Sequence, residues 1–452
     1  MFLEILCGVA LVAIATWVWF KRLGPWLGVR RFLADRANAL PRFREVPTPF
    51  VHQQPDVHGT HAVLDVIALT PSPSHGAGIF VTGGKGQHNA LLVQKDGRFV
   101  DVAAEFGLLG PMDQAVYGAL LADIDGDGVE ELLIAQDSGV YIHERSAPDG
   151  AFRLRRRLDE AVIPDRNVPL SIAAADTQGQ GRLDLYISTY IAHPYNVTAN
   201  FNRPDIRARN LFLRGNGDGT FRDATDEAGL VFNQNTFLAL WVDLNGDGLP
   251  DLIVSPNTDK ARCYENLGDG TFRERDLPLG WGYWMGIAAA DVTGNGYPDI
   301  LLSNIGSSIP AFLTKGDSRP DQPHDLHFRL LRNDGDFRFR DVSVELGART
   351  THFGWGAAFA DFTKRGRQDF VMTENYTAMP LNLHGRFPTP GKLMLQGADG
   401  RYTRAERAVG VENRHFGYRV ITPDLTGNGY PDLVIGNLTG PLRVFLNDGP
   451  AR

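Results

Sequence analysis

Cysteine is almost absent from this chain of 452 residues. Cys7 lies in an apolar N-terminal run, and Cys263 stands alone in the rest of the chain. No disulfide bond can therefore stabilise the globular part. Two cysteines also do not distinguish an oxidising from a reducing compartment, so cysteine usage leaves the cellular location open.

Basic charge in excess and catalytic motifs are lacking as well. The chain has 45 Lys and Arg against 53 Asp and Glu, a net charge of -8, which gives no support to nucleic-acid binding. We find no Ser/His/Asp order with a strained turn, no zinc spacing and no phosphate loop. These absences favour a non-catalytic protein, and we predict that it is not an enzyme.

The chain does contain a repeated acidic stretch of nine residues. The richest copy is Asp123-Ile-Asp-Gly-Asp-Gly-Val-Glu-Glu131, which directly precedes an apolar run. The frame is an Asp followed eight positions later by Asp or Glu, and its other copies span 176–184, 243–251, 291–299, 361–369 and 424–432. We expect a degenerate seventh unit around Asp65. Such a period indicates one closed array of repeats rather than two or three domains.

Each repeat carries the signals of four short β-strands. One apolar strand enters the acidic loop and one leaves it, a third ends in a Gly/Asn/Asp turn, and a fourth reads Phe-Arg-Asp or a close variant, as at 221–223. Four such strands are typical of a propeller blade. We predict an all-β fold, a seven-bladed β-propeller over residues 42–452. The last repeat lacks its fourth strand, and Phe43-Arg-Glu-Val46 supplies it, so residues 42–47 should close the ring in the last blade.

These loops, together with the Asn-(x)-Gly-Asp-Gly-Thr-Phe turns at 216–221 and 266–272 and the segment 225–230, resemble FG-GAP/VCBS repeat proteins. Within that group they are most similar to the bacterial CRTAC/UnbV type. The resemblance implies an integrin-α-like seven-bladed propeller with calcium in the loop between the first two strands of a blade. It also implies adhesion or assembly rather than catalysis.

The acidic loops differ in how many calcium ligands they offer. Calcium takes about six to eight oxygen ligands, and side chains at loop positions 1, 3, 5 and 9 can contribute. We expect calcium in the two most acidic loops, with ligands Asp123, Asp125, Asp127 and Glu131, and Asp243, Asn245, Asp247 and Asp251. Two loops with fewer acids should bind more weakly, through Asp291, Thr293, Asn295 and Asp299, and Asp424, Thr426, Asn428 and Asp432.

The two remaining loops are poorer. Gln178 and Gln180 replace acids in the loop 176–184, and Arg365 occupies position 5 of the loop 361–369, which we expect to be free of metal. Ordinary turns also use Asp and Gly, but turn formation alone does not explain an acid at position 9. We therefore favour metal binding, in a structural role, for the complete copies.

The face opposite the acidic loops is where we expect function. It should carry three long insertions, at 190–209, 305–327 and 375–391. It should also carry a polar ring and an aromatic collar around the channel, which contribute the candidate partner-binding residues His352, His415, Gln114, Trp355 and Tyr418. The alternative is that these polar residues simply meet water in the channel.

The N-terminus predicts a membrane anchor. Phe2 to Phe20 is apolar except for Glu4 and Thr16, and at about 1.5 Å per residue it can cross most of a hydrocarbon core of about 30 Å. We predict one transmembrane helix at 1–22 and a linker at 23–41. The basic residues that follow favour a cytoplasmic propeller, whereas calcium loops favour the periplasmic or extracellular side, which we expect.

Together these features predict a non-catalytic, calcium-stabilised propeller that acts as an interaction, assembly or accessory subunit of a membrane complex. Its partner would be a protein, with the membrane contacted through the N-terminal helix. Two alternatives stay open. One is an enzyme or a small-ligand or glycan-binding protein that uses the channel face, and the other is a surface adhesion protein.

Overall fold

The computed structural model describes residues 24–35, 38–53, 63–192, 207–306, 320–350, 352–375 and 389–450. Within these residues the chain forms one helix, α1 (Gly24–Ala34), and β-strands arranged in seven blades, whose four main strands are antiparallel. The predicted all-β seven-bladed propeller is confirmed. The predicted anchor at 1–22 lies outside the described residues, and among the helices that are described none is long and apolar enough to cross a membrane.

Blades 1 to 3 follow one another along the chain. Their strands are β2 Val66–Leu69, β3 Gly78–Val81, β4 Ala90–Lys95, β5 Arg98–Asp101, β6 Val116–Ala122, β7 Glu131–Gln136, β8 Gly139–Glu144, β9 Arg153–Arg157, β10 Asn167–Ala175, β11 Asp184–Ile191, β12 Leu211–Gly215 and β13 Phe221–Asp223. In each blade the strands are hydrogen-bonded in sequence order.

Blades 4 to 6 repeat this order, and blade 4 is extended by two extra strands, β18 Trp281–Tyr283 and β21 His324–Asp325. The other strands are β14 Thr236–Val242, β15 Asp251–Asp259, β16 Arg262–Asn266, β17 Phe272–Arg275, β19 Ile287–Ala290, β20 Asp299–Leu302, β22 Arg329–Asn333, β23 Phe339–Asp341, β24 Gly354–Ala360, β25 Asp369–Glu374, β26 Lys392–Gln396 and β27 Tyr402–Arg404.

Blade 7 joins the two ends of the chain. It contains β28 Phe416–Ile421, β29 Leu433–Leu438, β30 Arg443–Pro450 and, on its outer edge, β1 Pro41–Val46. Arg443 donates from Nε and Nη2 to the two carboxylate oxygens of Glu45, both at 2.8 Å, a bidentate pair. The closing strand therefore lies where the sequence places it, one residue earlier at each end.

The second strand of each blade is buried along its whole length, whereas the fourth strand is only partly buried. A second strand packs between the neighbouring blades on both of its faces, which explains why these strands are nearly continuous apolar runs. The propeller has two faces. We call the face with the loops between first and second strands the metal-loop face, and the face with the connections between second and third strands the insertion face.

Blade 1 corrects the alignment of the seventh repeat. Strand β2 begins after Asp65, so this residue precedes the strand rather than following it. Its carboxylate pairs with Arg419 Nε at 2.8 Å and accepts a hydrogen bond from Ala119 N at 3.1 Å. Asp65 thus links blades 1, 2 and 7. The sequence alignment was wrong because the true loop of this blade has lost its acids, leaving an unrelated Asp as the nearest match.

Helix α1 falls within the predicted linker and packs on the outer side of blade 6. Gly28 lies against Thr403 of β27, and the buried Phe32 joins a core cluster shared by blades 6 and 7. After the helix, Asn38 Oδ1 accepts hydrogen bonds from Arg367 Nη1 at 2.7 Å, Ala398 N at 3.1 Å and Arg365 Nη1 at 3.3 Å. The segment before β1 is therefore attached to the propeller.

Candidate functional site

The first Asp of every acidic loop shapes the loop itself. Asp123 accepts hydrogen bonds from Gly126 N at 2.7 Å and Gly128 N at 2.9 Å. Asp361 makes equivalent bonds to Arg365 N at 3.0 Å and Gly366 N at 2.5 Å, although this loop has Arg at position 5. Gly128 has a φ of 87°, which favours glycine at position 6. The loop conformation therefore does not depend on metal ligands at positions 3 and 5.

The acid at position 9 also has a structural role. Asp251 accepts Leu244 N and Asn266 N, each at 2.8 Å, so both of its oxygens bind backbone amides. Asp299, Asp369 and Asp432 repeat this arrangement. Hydrogen bonding to the backbone therefore accounts for an acid at position 9 without a metal ion, contrary to our expectation. A buried carboxylate is needed here to satisfy two amides, and burial raises the pKa of Asp251 to about 7.

The same loops connect neighbouring blades. Asn266 Nδ2 of blade 4 donates to Thr177 O in the loop of blade 3 at 2.7 Å. Blades 5, 6 and 7 repeat the contact through Asn333 to Leu244 O, Gln396 to Val292 O and Asn447 to Phe362 O, at 2.8, 2.7 and 2.9 Å. The metal-loop face is thus joined from blade to blade by side-chain amides.

The loop from Asp123 to Glu131 is the one that best fits a cation. Asp123, Asp125 and Glu131 each offer an oxygen within 4.8 Å of the others, the only such group of three in the described parts of the chain. Asp125 Oδ1 is buried with no hydrogen-bond partner, and its Oδ2 accepts Arg155 Nη1 at 2.7 Å. Burial, together with Asp125 and Asp127, raises the pKa of Glu131 to about 7. These features fit a calcium ion.

In the other candidate loops some ligand groups are engaged with protein. Asn245 Nδ2 donates to Asp247 Oδ2 at 2.8 Å. Asn295 Nδ2 donates to Asn333 O at 2.7 Å, and Asn428 Nδ2 to Asn447 O at 2.8 Å. The asparagines at position 5 therefore tie the loop to the third strand of the blade. In the loop without expected metal, Arg365 Nη2 lies 3.7 Å from Asp369 Oδ1.

On the insertion face, the aromatic collar fills the channel. The Trp355 ring centroid lies 4.9 Å from Tyr418, 5.2 Å from Phe353, 5.5 Å from Phe416 and 5.7 Å from Phe237. Trp355 Nε1 donates to Asn375 O at 3.1 Å. The cavity that remains at the centre has a volume of about 30 Å³. We call this packed aromatic cluster the plug.

The polar candidates do not converge on one point. Gln114 Oε1 accepts a hydrogen bond from Ser138 N at 3.1 Å. His352 Nδ1 lies 3.2 Å from Lys392 Nζ. His415 lies beside Gly440 in blade 7, where burial and then Arg443 lower its pKa. Each of these residues therefore belongs to the contacts of its own blade.

Lys392 and Glu374 form a buried ion pair that the sequence analysis missed. Their side chains are 4% and 0% exposed, and Lys392 Nζ lies 3.1 Å from Glu374 Oε1. Burial alone would raise the pKa of Glu374, but Lys392 and His352 outweigh it and lower the pKa to about 2. The sequence does carry a signal for this pair, because a charged residue lies at one end of each of two buried strands. Lys392 is the first residue of β26, and Glu374 is the last residue of β25.

A cleft of about 440 Å³ opens on the insertion face beside blade 3. Its lining includes three arginines and one acid: Asp165, Arg166, Asn167, Arg207, Arg209 and Asn233. Arg209 is held by Asp226, with Nη2 2.7 Å from Oδ2. The cleft therefore presents guanidinium groups on the face with the long insertions, whose residues 193–206, 307–319 and 376–388 lie outside the described structure.

The fold and the loops define a class, a β-propeller built from acidic-loop repeats. A family model for the FG-GAP-like repeat matches residues 243–302. Human cartilage acidic protein 1 is 25% identical over 241 residues, 50% of this chain and 33% of that protein. Its Xenopus tropicalis counterpart is 24% identical over 328 residues, 68% of this chain and 47% of that protein. These matches and the seven-bladed fold support an FG-GAP propeller protein that is similar in sequence to cartilage acidic protein 1.

The regions that match this chain cover less than half of the length of these relatives. Among solved structures, BBS1N in complex with ARL6DN, soaked with mercury, gives a TM-score of 0.51 at 8% identity. The match covers 90% of this chain and 98% of that one. At this identity the likeness concerns the fold alone.

Proposed function

We propose that the protein is a non-catalytic propeller that binds a protein partner through its insertion face. It would be anchored in a membrane by its N-terminal segment, with the propeller on the periplasmic or extracellular side, as an interaction or accessory subunit of a membrane complex. The plug carries this proposal. Its cavity of about 30 Å³ is far smaller than the roughly 300–1,000 Å³ typical of small-molecule sites, which argues against a sugar or metabolite bound in the channel.

The cleft beside blade 3 lies on the insertion face, which supports the proposal that this face binds the partner. Arg166 and Arg207 line it, and arginine suits recognition of carboxylates because its planar guanidinium can donate two parallel hydrogen bonds. We therefore propose an acidic segment of the partner as the group that enters this cleft. The fold class fits an interaction or an adhesion role, and both use an exposed face of this kind.

Charge reversal in the cleft tests this function. We expect Arg166→Glu/Arg207→Glu to lower the amount of partner that copurifies with the detergent-solubilised full chain by about tenfold or more, a loss of about 1.4 kcal/mol. The matched control is Arg153→Glu/Arg157→Glu, which reverses two exposed arginines on β9 at the rim of blade 2. Equal recovery of a stoichiometric partner with both variants would contradict the proposal.

We further propose that Asp123, Asp125, Asp127 and Glu131 hold calcium, which would replace Arg155 as the counter-charge of Asp125. Calcium that binds only the folded state raises its stability by mass action. At about 1 mM calcium, a concentration at which weak extracellular sites fill, we expect a higher thermal midpoint than in chelator.

Asp125→Asn/Asp127→Asn should remove about half or more of that calcium-dependent rise, because it neutralises two of the four acids. The control is Gln178→Ala/Gln180→Ala, which changes the same two loop positions in a loop without acids there. Thermal unfolding with calcium and with chelator measures both. A wild-type midpoint that does not respond to calcium would contradict the calcium proposal.

A further inference from the structure

Helix α1 is attached at a defined edge of the propeller. Phe32 is 6% exposed, and the guanidinium of Arg365 lies 5.6 Å from its ring centroid. Asn38 binds Arg365 and Arg367 of the acidic loop of blade 6, and the turn at Ala398. Because that turn joins the third and fourth strands, it lies on the metal-loop face. The C-terminal end of the helix is therefore held at the metal-loop face, next to the loop in which Arg365 stands at position 5, while Gly28 packs on the outer strand β27.

The other side of the helix is exposed and has an amphipathic composition. Trp26 is 53% exposed and Leu33 44% exposed, and Arg30 and Arg31 are exposed beside them. The guanidinium of Arg30 stacks 4.8 Å from the Trp26 ring centroid. Tryptophan and arginine together are typical of helices that lie among lipid headgroups, with the indole at the interface and the charge toward phosphate.

The chain before the helix indicates what covers this side. The apolar run Phe2 to Phe20 ends with Lys21 and Arg22, directly before the helix begins at Gly24. From residue 5 to residue 34 the sequence contains Lys and Arg but no Asp or Glu. A segment with only positive charge next to an apolar run is attracted to anionic lipids. A lipid surface therefore matches the exposed side in charge and in continuity.

We infer that the exposed side of α1 lies on an anionic lipid surface and that the Asn38 and Phe32 contacts turn the metal-loop face toward the membrane. This inference rests on the proposed anchoring. Its consequence is that the insertion face points away from the bilayer, toward partners that approach from outside the membrane. The amides that join the blades then lie on the membrane side, where they stiffen the ring rather than bind a partner.

Two exposed alanines in blade 6 test this orientation. Ala398 lies on the metal-loop face, and Ala408, after β27, lies on the insertion face. The full chain with Cys7→Ser is labelled with a donor fluorophore at Ala398→Cys or Ala408→Cys, since Cys263 is buried. It is placed in nanodiscs of equimolar phosphatidylcholine and phosphatidylglycerol with acceptor-labelled headgroups. Strand β27 and its flanks separate the two positions by on the order of 20 Å. We therefore expect the energy transfer to the acceptor headgroups to be about twofold or more greater from position 398 than from position 408.

Charge reversal tests the lipid contact itself. Arg30→Glu/Arg31→Glu should bring transfer from position 398 in the anionic discs down to the value in discs of phosphatidylcholine alone, whereas Arg153→Glu/Arg157→Glu should leave it unchanged. Equal transfer from both labels, greater transfer from 408, or no effect of the helix reversal would overturn the inference. Extraction of the full chain from membranes by alkaline carbonate would instead overturn the proposed anchoring, so the two failures are distinguishable.

Discussion

Lys392→Met is expected to lower the free energy of unfolding by about 3–5 kcal/mol, because it leaves Glu374 buried without its counter-charge. Both side chains are almost fully buried, and Nζ lies 3.1 Å from Oε1. His352, at 3.6 Å from the same oxygen, is half-exposed and cannot replace the ammonium group in that position. Urea unfolding of the purified protein measures the loss.

Two further variants distinguish the buried pair from an ordinary one. Lys392→Met/Glu374→Leu should recover most of the loss, since replacing both partners with apolar groups removes the desolvated charge. Arg222→Met breaks the exposed pair with Glu227, at 2.6 Å, and should cost no more than about 1 kcal/mol. If Lys392→Met costs as little as Arg222→Met, the buried pair is not ionised in the folded protein.

The pH dependence of this pair follows from the direction of the shift. The pKa of Glu374 falls from 4.5 to about 2 on folding, so the folded state holds the charged carboxylate more strongly than the unfolded state does. The stabilisation is therefore fully present above a pH of about 4.5 and is lost as pH falls from there to about 2. The double variant should lack this part of the acid sensitivity.

The architecture could be predicted because every blade repeats the same local signals. The apolar second strands, the glycine turns and the acidic loops agree with one another, and the Phe43 to Val46 strand follows from the strand missing at the other end. Blade 1 could not be aligned in the same way. Its loop has no acids left, so the nearest Asp, Asp65, stands in for the first position of the frame although it precedes the strand and forms an ion pair with Arg419.

The acidic loops show why a motif does not by itself define a metal site. A carboxylate that accepts backbone amides and one that binds calcium use the same oxygen lone pairs, so Asp251 satisfies either interpretation from sequence. The distinction lies in how many acids converge. Oxygens of Asp123, Asp125 and Glu131 lie within 4.8 Å of one another, whereas the side chains of Asn295 and Asn428 are neutral and donate to the third strand.

The sequence located the insertion face but did not predict whether the channel is open or filled by side chains. Residues such as Trp355 and Tyr418 were predicted in a collar around the channel, and both line the cavity at its centre. Whether seven inner strands leave a pore or close it depends on side-chain volumes that meet at the axis, which is a property of the whole ring. The buried pair of Lys392 and Glu374 is likewise brought together only when β25 and β26 lie side by side.

Trp355→Ala should then be the most damaging change in the plug, with an expected loss of about 3–5 kcal/mol in the free energy of unfolding. Trp355 is 9% exposed, packs on four aromatic rings and donates its indole hydrogen to Asn375 O. Trp355→Phe keeps most of the packing and should cost less. Trp26→Ala, in the exposed helix side, should change stability by no more than about 0.5 kcal/mol in detergent.

The comparison of these three variants decides what the centre of the ring is for. If the plug holds the blades together, Trp355→Ala should lower the free energy of unfolding more than Trp355→Phe does. Partner copurification should be unchanged in any variant that remains folded. If Trp355→Ala were as mild as Trp26→Ala, the aromatic rings would not be packed against one another. The channel would then be open enough to admit a ligand, and the small-ligand alternative would replace the protein-binding proposal.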